Sequence, residues 1–163
     1  MMFTLTARRS LLASAALLAL AVTTIARAAN MTYDAVVSDA LTVIAHRPEM
    51  SVMRVAGQSM LPYFSDDAVV VVKKIDAARL RVGMIAIYTN RFGEKVAHRV
   101  IATVNGGWQV KGYNNEAPDS TVVNSSNLLG IVYATFHSAG RAPVTIAAAS
   151  VPTVETVYAA PAK

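Results

Sequence analysis

Apolar positions recur along this chain with two different periods. Between Asn30 and Arg47, residues Tyr33, Val36, Val37, Ala40, Leu41 and Ile44 fall at i, i+3, i+4, i+7, i+8 and i+11, one face of a helix. The stretch opens on polar residues and stops at His46-Arg47-Pro48, because proline cannot continue a helix. An amphipathic helix within residues 29–50, packed on the domain, is therefore expected. From Ser51 the pattern shifts to short β runs. Ser51–Ala56 reads as a strand entering a turn. Ala68–Lys73 holds four consecutive valines, as suits a strand buried on both faces. Met84–Thr89 is a third run, and Asn90-Arg91-Phe92-Gly93 turns the chain into a long strand over Glu94–Val104. Asn105-Gly106 is a hairpin signal leading to Trp108–Lys111. Gly112–Asn127 is polar and turn-rich, a loop, and Leu128–Phe136 is the last clear strand. The pattern predicts a mainly β domain over residues 51–137 with an N-terminal helix. Residues 138–163, rich in Ala, Pro, Thr and Val, are expected to form a flexible tail.

The first 28 residues stand apart from both periods. Arg8 and Arg9 precede an uncharged apolar or small run from Leu11 to Ile25, and Ala26-Arg27-Ala28 supplies small residues at a cleavage site before Ala29. The run is shorter than the ~20 residues of a spanning helix, so a cleaved signal peptide is favoured over a retained membrane anchor. Either form directs the domain to the periplasm, the exterior or the outer face of the cytoplasmic membrane.

Composition changes the picture mainly through this segment. The 163 residues are 54% hydrophobic, with mean hydropathy +0.41 and net charge +5. Removing Arg8, Arg9 and Arg27 from the 15 Lys+Arg leaves 12 against 10 acids, a net +2. No basic stripe is left for a nucleic-acid partner. Cysteine is absent, which excludes a thiol nucleophile or thiolate metal site, and the three histidines are too dispersed for metal-ligand spacing.

Candidate chemistry gathers in three segments. Ser59 lies in Val55-Ala56-Gly57-Gln58-Ser59-Met60-Leu61-Pro62, where a strand meets a turn. A serine hydroxyl needs a base to take its proton and donors to hold the oxyanion that forms. His98 sits mid-strand and shares a face with Val96 and Val100, while Lys95, Ala97 and Arg99 take the other face. Imidazole has a pKa suited to accepting a serine proton near neutral pH, although a lone histidine at such a position is more often a core residue. Asp119 and Glu116 are the acids of the loop Lys111–Ser120, and a carboxylate there could orient the histidine. An aspartate after proline is more often a turn residue.

Together these segments resemble the catalytic domain of type I signal peptidases, whose fold is shared with self-cleaving repressors. The likeness covers roughly Val52–Phe136. Ser59-Met60-Leu61-Pro62 is similar to the family's nucleophile motif, followed by Val69–Val72 and Arg81-Val82-Gly83. His98-Arg99-Val100-Ile101 is similar to the histidine motif of the archaeal and endoplasmic-reticulum branch. Lys111-Gly112-x-Asn114-Asn115 with Asp119 is similar to that branch's last motif. The resemblance implies Ser59 as nucleophile, His98 as base where the common bacterial branch has lysine, and Asp119 as orienting acid. It implies an oxyanion donor at the Ser59 N–H, no cofactor, and cleavage of exported precursor peptides after small residues. Gly57, Gln58 and Met60 flank Ser59 and are expected to contact substrate. Three positions depart from the pattern. Gly57 stands where a serine is common, Tyr113 replaces an aspartate, and Asp66-Asp67 stands for a glycine–aspartate pair. These departures carry the alternative of a catalytically silent domain that binds peptides or protein partners. A self-cleaving regulator is disfavoured, since no DNA-binding helix pair precedes the domain and the leader would export it.

Overall fold

The 3.6-residue period becomes helix α1 (Tyr33–Ile44) in the computed structural model, which describes residues 31–139 and 154–159. The chain divides into two units, and the fold described is that of Thr32–Lys163. Thr32 caps α1 by accepting the Ala35 N–H at 3.3 Å, and Asp34 in the first turn complements the helix dipole. Tyr33, Val36, Val37 and Ala40 are buried where α1 packs on the first two strands, while Leu41 and Ile44 are only partly covered.

Seven strands follow: β1 (Met50–Gly57), β2 (Val69–Lys73), β3 (Ile85–Thr89), β4 (Lys95–Val104), β5 (Gly107–Lys111), β6 (Leu128–Phe136) and β7 (Glu155–Ala159). They hydrogen-bond in the order β3-β6-β2-β1-β7-β4-β5, and β3 also pairs with β4. That extra pairing closes six strands into a barrel and leaves β5 as a hairpin arm on β4. The fold is mainly β with one α-helix, and a short 3-10 turn at Ala77–Arg79, among the described residues.

Two cores result. The barrel interior takes alternate residues from all six strands: Met53 and Val55, Val70 and Val72, Ile87, Ala97, Leu129 and Val132, and Val157 and Ala159. Val69 and Val71 point the other way and are equally buried, so β2 is covered on both faces. Each such side chain contributes about 1.5–3 kcal/mol of apolar transfer. A second core of Leu80, Ala86, Tyr88, Val96, Val100, Val110 and Val123 lies on the opposite face of β3 and β4, under the β5 arm. His98 belongs to this second face, since it alternates with Ala97 and follows Val96 by two.

The expectation of a loose tail over 138–163 is corrected at Glu155–Ala159. This segment is β7, paired parallel with β1 from Met53↔Glu155 to Gly57↔Ala159. Burial of Val157 and Ala159 in the barrel holds it there. The leader expected over residues 1–28 lies outside the described residues. Among the described residues no helix is long and apolar enough to cross a membrane.

Candidate active site

Ser59 sits in the turn that leaves β1. Gly57 makes that turn with φ +101°, a backbone conformation L side chains rarely adopt. Its N–H donates to Asp66 Oδ1 at 2.7 Å, and Arg54 clamps Asp67 through Nε at 2.9 Å and Nη2 at 2.6 Å. The Asp66-Asp67 pair thus ties the following loop back to the strand that presents the serine. From the other side, the Asn114 N–H donates to the Ser59 carbonyl at 2.6 Å. Gly112 lets this loop approach, because a Cβ there would lie 2.9 Å from the Ser59 Cβ and 2.6 Å from the Asn115 amide.

β4 brings His98 to the same point. Ala86 is its cross-strand partner on β3, and this small residue leaves room beside the ring. Ser59 Oγ and His98 Nε2 are 2.8 Å apart. On the far side of the ring, Nδ1 lies 2.6 Å from Asp119 Oδ2. A carboxylate only accepts, so Nδ1 carries the proton and Nε2 presents its lone pair to the Ser59 hydroxyl. Asp119 is placed by its own N–H donating to the Val110 carbonyl at 2.9 Å, and its loop is anchored by the two-way bridge between Trp108 and Val123. Ser59 and His98 are 5% and 1% exposed, so little water competes for these bonds.

The carboxylate has a second donor. Tyr88, on β3, donates its hydroxyl to Asp119 Oδ2 and lies 3.4 Å from His98 Nδ1. Burial, then the bond to Asp119, pushes the Tyr88 phenol far above its usual range, so it stays protonated. Asp119 Oδ1 is buried without a hydrogen-bond partner among the described residues. Tyr88 carried no functional weight in the sequence. The turn Asn90–Gly93 was the available signal, since it pairs Thr89 with Lys95 and hence sets Tyr88 diagonal to His98 on one face.

Other expected site residues fall out as follows. Gly57 and Gln58 line an open cleft of about 400 Å³ beside Ser59, together with Ala56, Asn114, Asn115 and Ala159. Met60 does not line it. Its side chain is fully buried in the barrel core, because the chain turns inward immediately after Ser59. Lys95 faces away from the serine and pairs with Glu155. Glu116 is exposed, as are His46 and His137. Tyr113, in place of an acid, packs its ring edge-on to Tyr63 at 4.7 Å. No cluster of metal-ligating side chains occurs among the described residues.

The N–H of Ser59 is engaged. It donates to the Ala159 carbonyl of β7 at 3.0 Å. A carbonyl oxygen at the backbone N–H of a nucleophilic serine stands where an oxyanion would be held.

A family model described as Peptidase S24-like matches residues 14–133, a span that includes Ser59, His98 and Asp119 and ends before β7. No curated protein and no solved structure matches the chain.

Proposed function

Since the chain belongs to the Peptidase S24-like family, we propose that its serine-peptidase-like domain is an active endopeptidase built on Ser59, His98 and Asp119. The observation that carries this is the 2.8 Å approach of Ser59 Oγ to His98 Nε2, with Asp119 behind the ring. In the reaction, Ser59 Oγ attacks a peptide carbonyl while His98 Nε2 takes the hydroxyl proton. Asp119 stabilises the imidazolium, and the Ser59 N–H supports the oxyanion. His98 then gives its proton to the departing amine. Water, activated by the same imidazole, hydrolyses the acyl-enzyme. Every step uses side chains and backbone of this chain.

The substrate reading draws on the likeness to signal peptidases. Exported precursor peptides would be cut after small residues, on the far side of the cytoplasmic membrane, with residues 11–25 serving as leader or anchor. The test is cleavage of a peptide bearing an Ala-x-Ala site by the purified full chain. The Ser59→Ala and His98→Ala proteins are expected to be inactive, and equal cleavage by Ser59→Ala would sink the enzyme reading.

A second reading has its own observation. Ser59 already donates its N–H to Ala159, as in a domain that holds a peptide without cutting it. Peptide binding without turnover, unchanged in Ser59→Ala, would select that silent domain.

A further inference from the structure

β7 lies directly against the turn that carries Ser59. It runs parallel to β1, and the two strands converge on the serine through the pairs Val55↔Val157, Ala56↔Tyr158 and Gly57↔Ala159. Its far edge meets β4, the strand that carries His98, through the single pair Val96↔Tyr158. The segment therefore lies between the strand that presents the nucleophile and the strand that presents the base. Its side chains alternate as an extended bound peptide's would. Val157 and Ala159 are wholly buried in the barrel, while Tyr158 is exposed. The Ala159 carbonyl lies at the Ser59 N–H, 3.0 Å away.

Gly57 fits the same arrangement. A Cβ at this position would lie 2.3 Å from the Ala159 oxygen and 2.9 Å from its carbonyl carbon. No side chain can be accommodated there while β7 is in place. One of the three positions that depart from the signal-peptidase pattern is thus the one that admits this strand.

We propose that Glu155–Ala159 is an intramolecular occupant of the peptide-binding groove, seated in substrate register, and that a second peptide binds Ser59 only when β7 leaves. This rests on the reading of Ser59 as the acyl-transfer site. The groove would then accept an extended chain with a small side chain beside Ser59 and a compact apolar one two residues before it, as Ala159 and Val157 show. The tether makes the occupant a strong competitor, since a linked segment acts at an effective concentration that can reach about millimolar. A site closed for most of the time raises the apparent KM by the inverse of its open fraction.

Val157→Asp in the full chain tests this, because a carboxylate cannot stay at a fully buried position in the barrel core. The peptide Glu-Thr-Val-Tyr-Ala, carrying a fluorophore at its N-terminus, is titrated into Ser59→Ala and into Ser59→Ala with Val157→Asp. The double variant is expected to bind at least about tenfold more tightly. Equal binding by two folded proteins overturns the proposal. Should Val157→Asp unfold the barrel, hydrogen exchange on the otherwise unaltered Ser59→Ala chain decides. Saturating unlabelled peptide is expected to speed exchange at the Val157 and Ala159 amides, and unchanged protection overturns the proposal. Neither measurement needs hydrolysis, so both distinguish this failure from that of the enzyme reading. A chain that accepts the peptide but never cuts keeps the occupant and loses the peptidase. One that cuts peptides with β7 fixed in place does the reverse.

Discussion

Tyr88 and His98 donate to the same oxygen, Asp119 Oδ2. The phenol therefore fixes the carboxylate that fixes the imidazole, and it does so from β3, the hairpin partner of the histidine's own strand. A tyrosine held protonated by burial cannot be exchanged for a second acid without changing the charge beside the ring. Tyr88 is in this sense a positioning residue. Tyr88→Phe is expected to leave the fold intact and to lower kcat by roughly 10–100-fold, the equivalent of about 1.5–3 kcal/mol for a hydrogen bond to a charged group. Its pH–rate profile should move as well, because His98 loses part of what orients its partner. A profile superimposable on wild type would reduce Tyr88 to a packing residue.

Asp119→Asn probes the next link. An amide can present either oxygen or nitrogen to Nδ1, and the tautomer that leaves Nε2 free to accept is no longer enforced. Loss of about 10³–10⁴ in kcat is expected with KM little altered, as for other triads that lose the orienting acid. Steady-state kinetics on the two variants should rank Asp119 above Tyr88.

Raising the pH acts on the same tyrosine through stability. Its folded pKa lies above the unfolded value of 10.0, so the protonated phenol is what the fold prefers. The associated stability is fully present below pH 10. Above it the unfolded chain ionises first, and the advantage drains as pH climbs toward the folded pKa. Denaturant midpoints measured from pH 9 upward should fall more steeply in wild type than in Tyr88→Phe.

Met60 separates core from cleft. Because it is buried in the barrel and does not line the open cleft beside Ser59, Met60→Ala should cost about 2–5 kcal/mol of stability. Met60→Leu should cost under about 1.5 kcal/mol. Met60 shares the barrel core with Val157 and Ala159, so with β7 as the groove's occupant Met60→Leu should change which side chains are accepted in the places of those two residues. An unchanged preference, scored on a peptide library at temperatures where the protein stays folded, would confine Met60 to a packing role.

Much of this architecture is legible in the residues. The strands β1 to β6 follow from short apolar runs separated by Gly, Asn and Asp, and the two-faced burial of Val69–Val72 follows from four valines in a row. Ser59, His98 and the loop of Asp119 stand out because each carries a residue type the chemistry needs, on a segment whose local structure is readable. What could not be read is non-local. Glu155–Ala159 is five residues within an Ala- and Val-rich stretch, too short for its alternation to speak. Its role depends on pairing with β1, about a hundred residues earlier in the chain. Tyr88 was hidden for a related reason, since an aromatic in an apolar run reads as core until the hairpin register sets it beside the histidine. The burial of Met60 was masked by adjacency. One residue past Ser59 the chain already belongs to the interior.

Gly57→Ala joins the two parts of the structure. The added methyl meets the Ala159 oxygen at 2.3 Å, and the positive φ costs a further ~1–2 kcal/mol for any L side chain. Hydrogen exchange should find the β7 amides deprotected while those of β2 and β6 remain slow. Uniform loss of protection across the barrel would show that β7 and the other strands open as one unit.

The placing of β7 also bears on the order in which this molecule can be made. A ribosome delivers β1 through β6 first, and domains begin to form from their N-terminal side as they emerge. With residue 136 synthesised, the serine, the histidine and Asp119 are all available, yet the gap between β1 and β4 still awaits residues 155–159. The nascent chain therefore passes through an interval in which Ser59, His98 and Asp119 are present and the strand between β1 and β4 is not yet made. Two unpaired strand edges, of β1 and β4, are left open beside Ser59 during that interval. The time taken to add residues 137–159, and any chaperone that meets the chain in that interval, would set how long this gap stays unfilled.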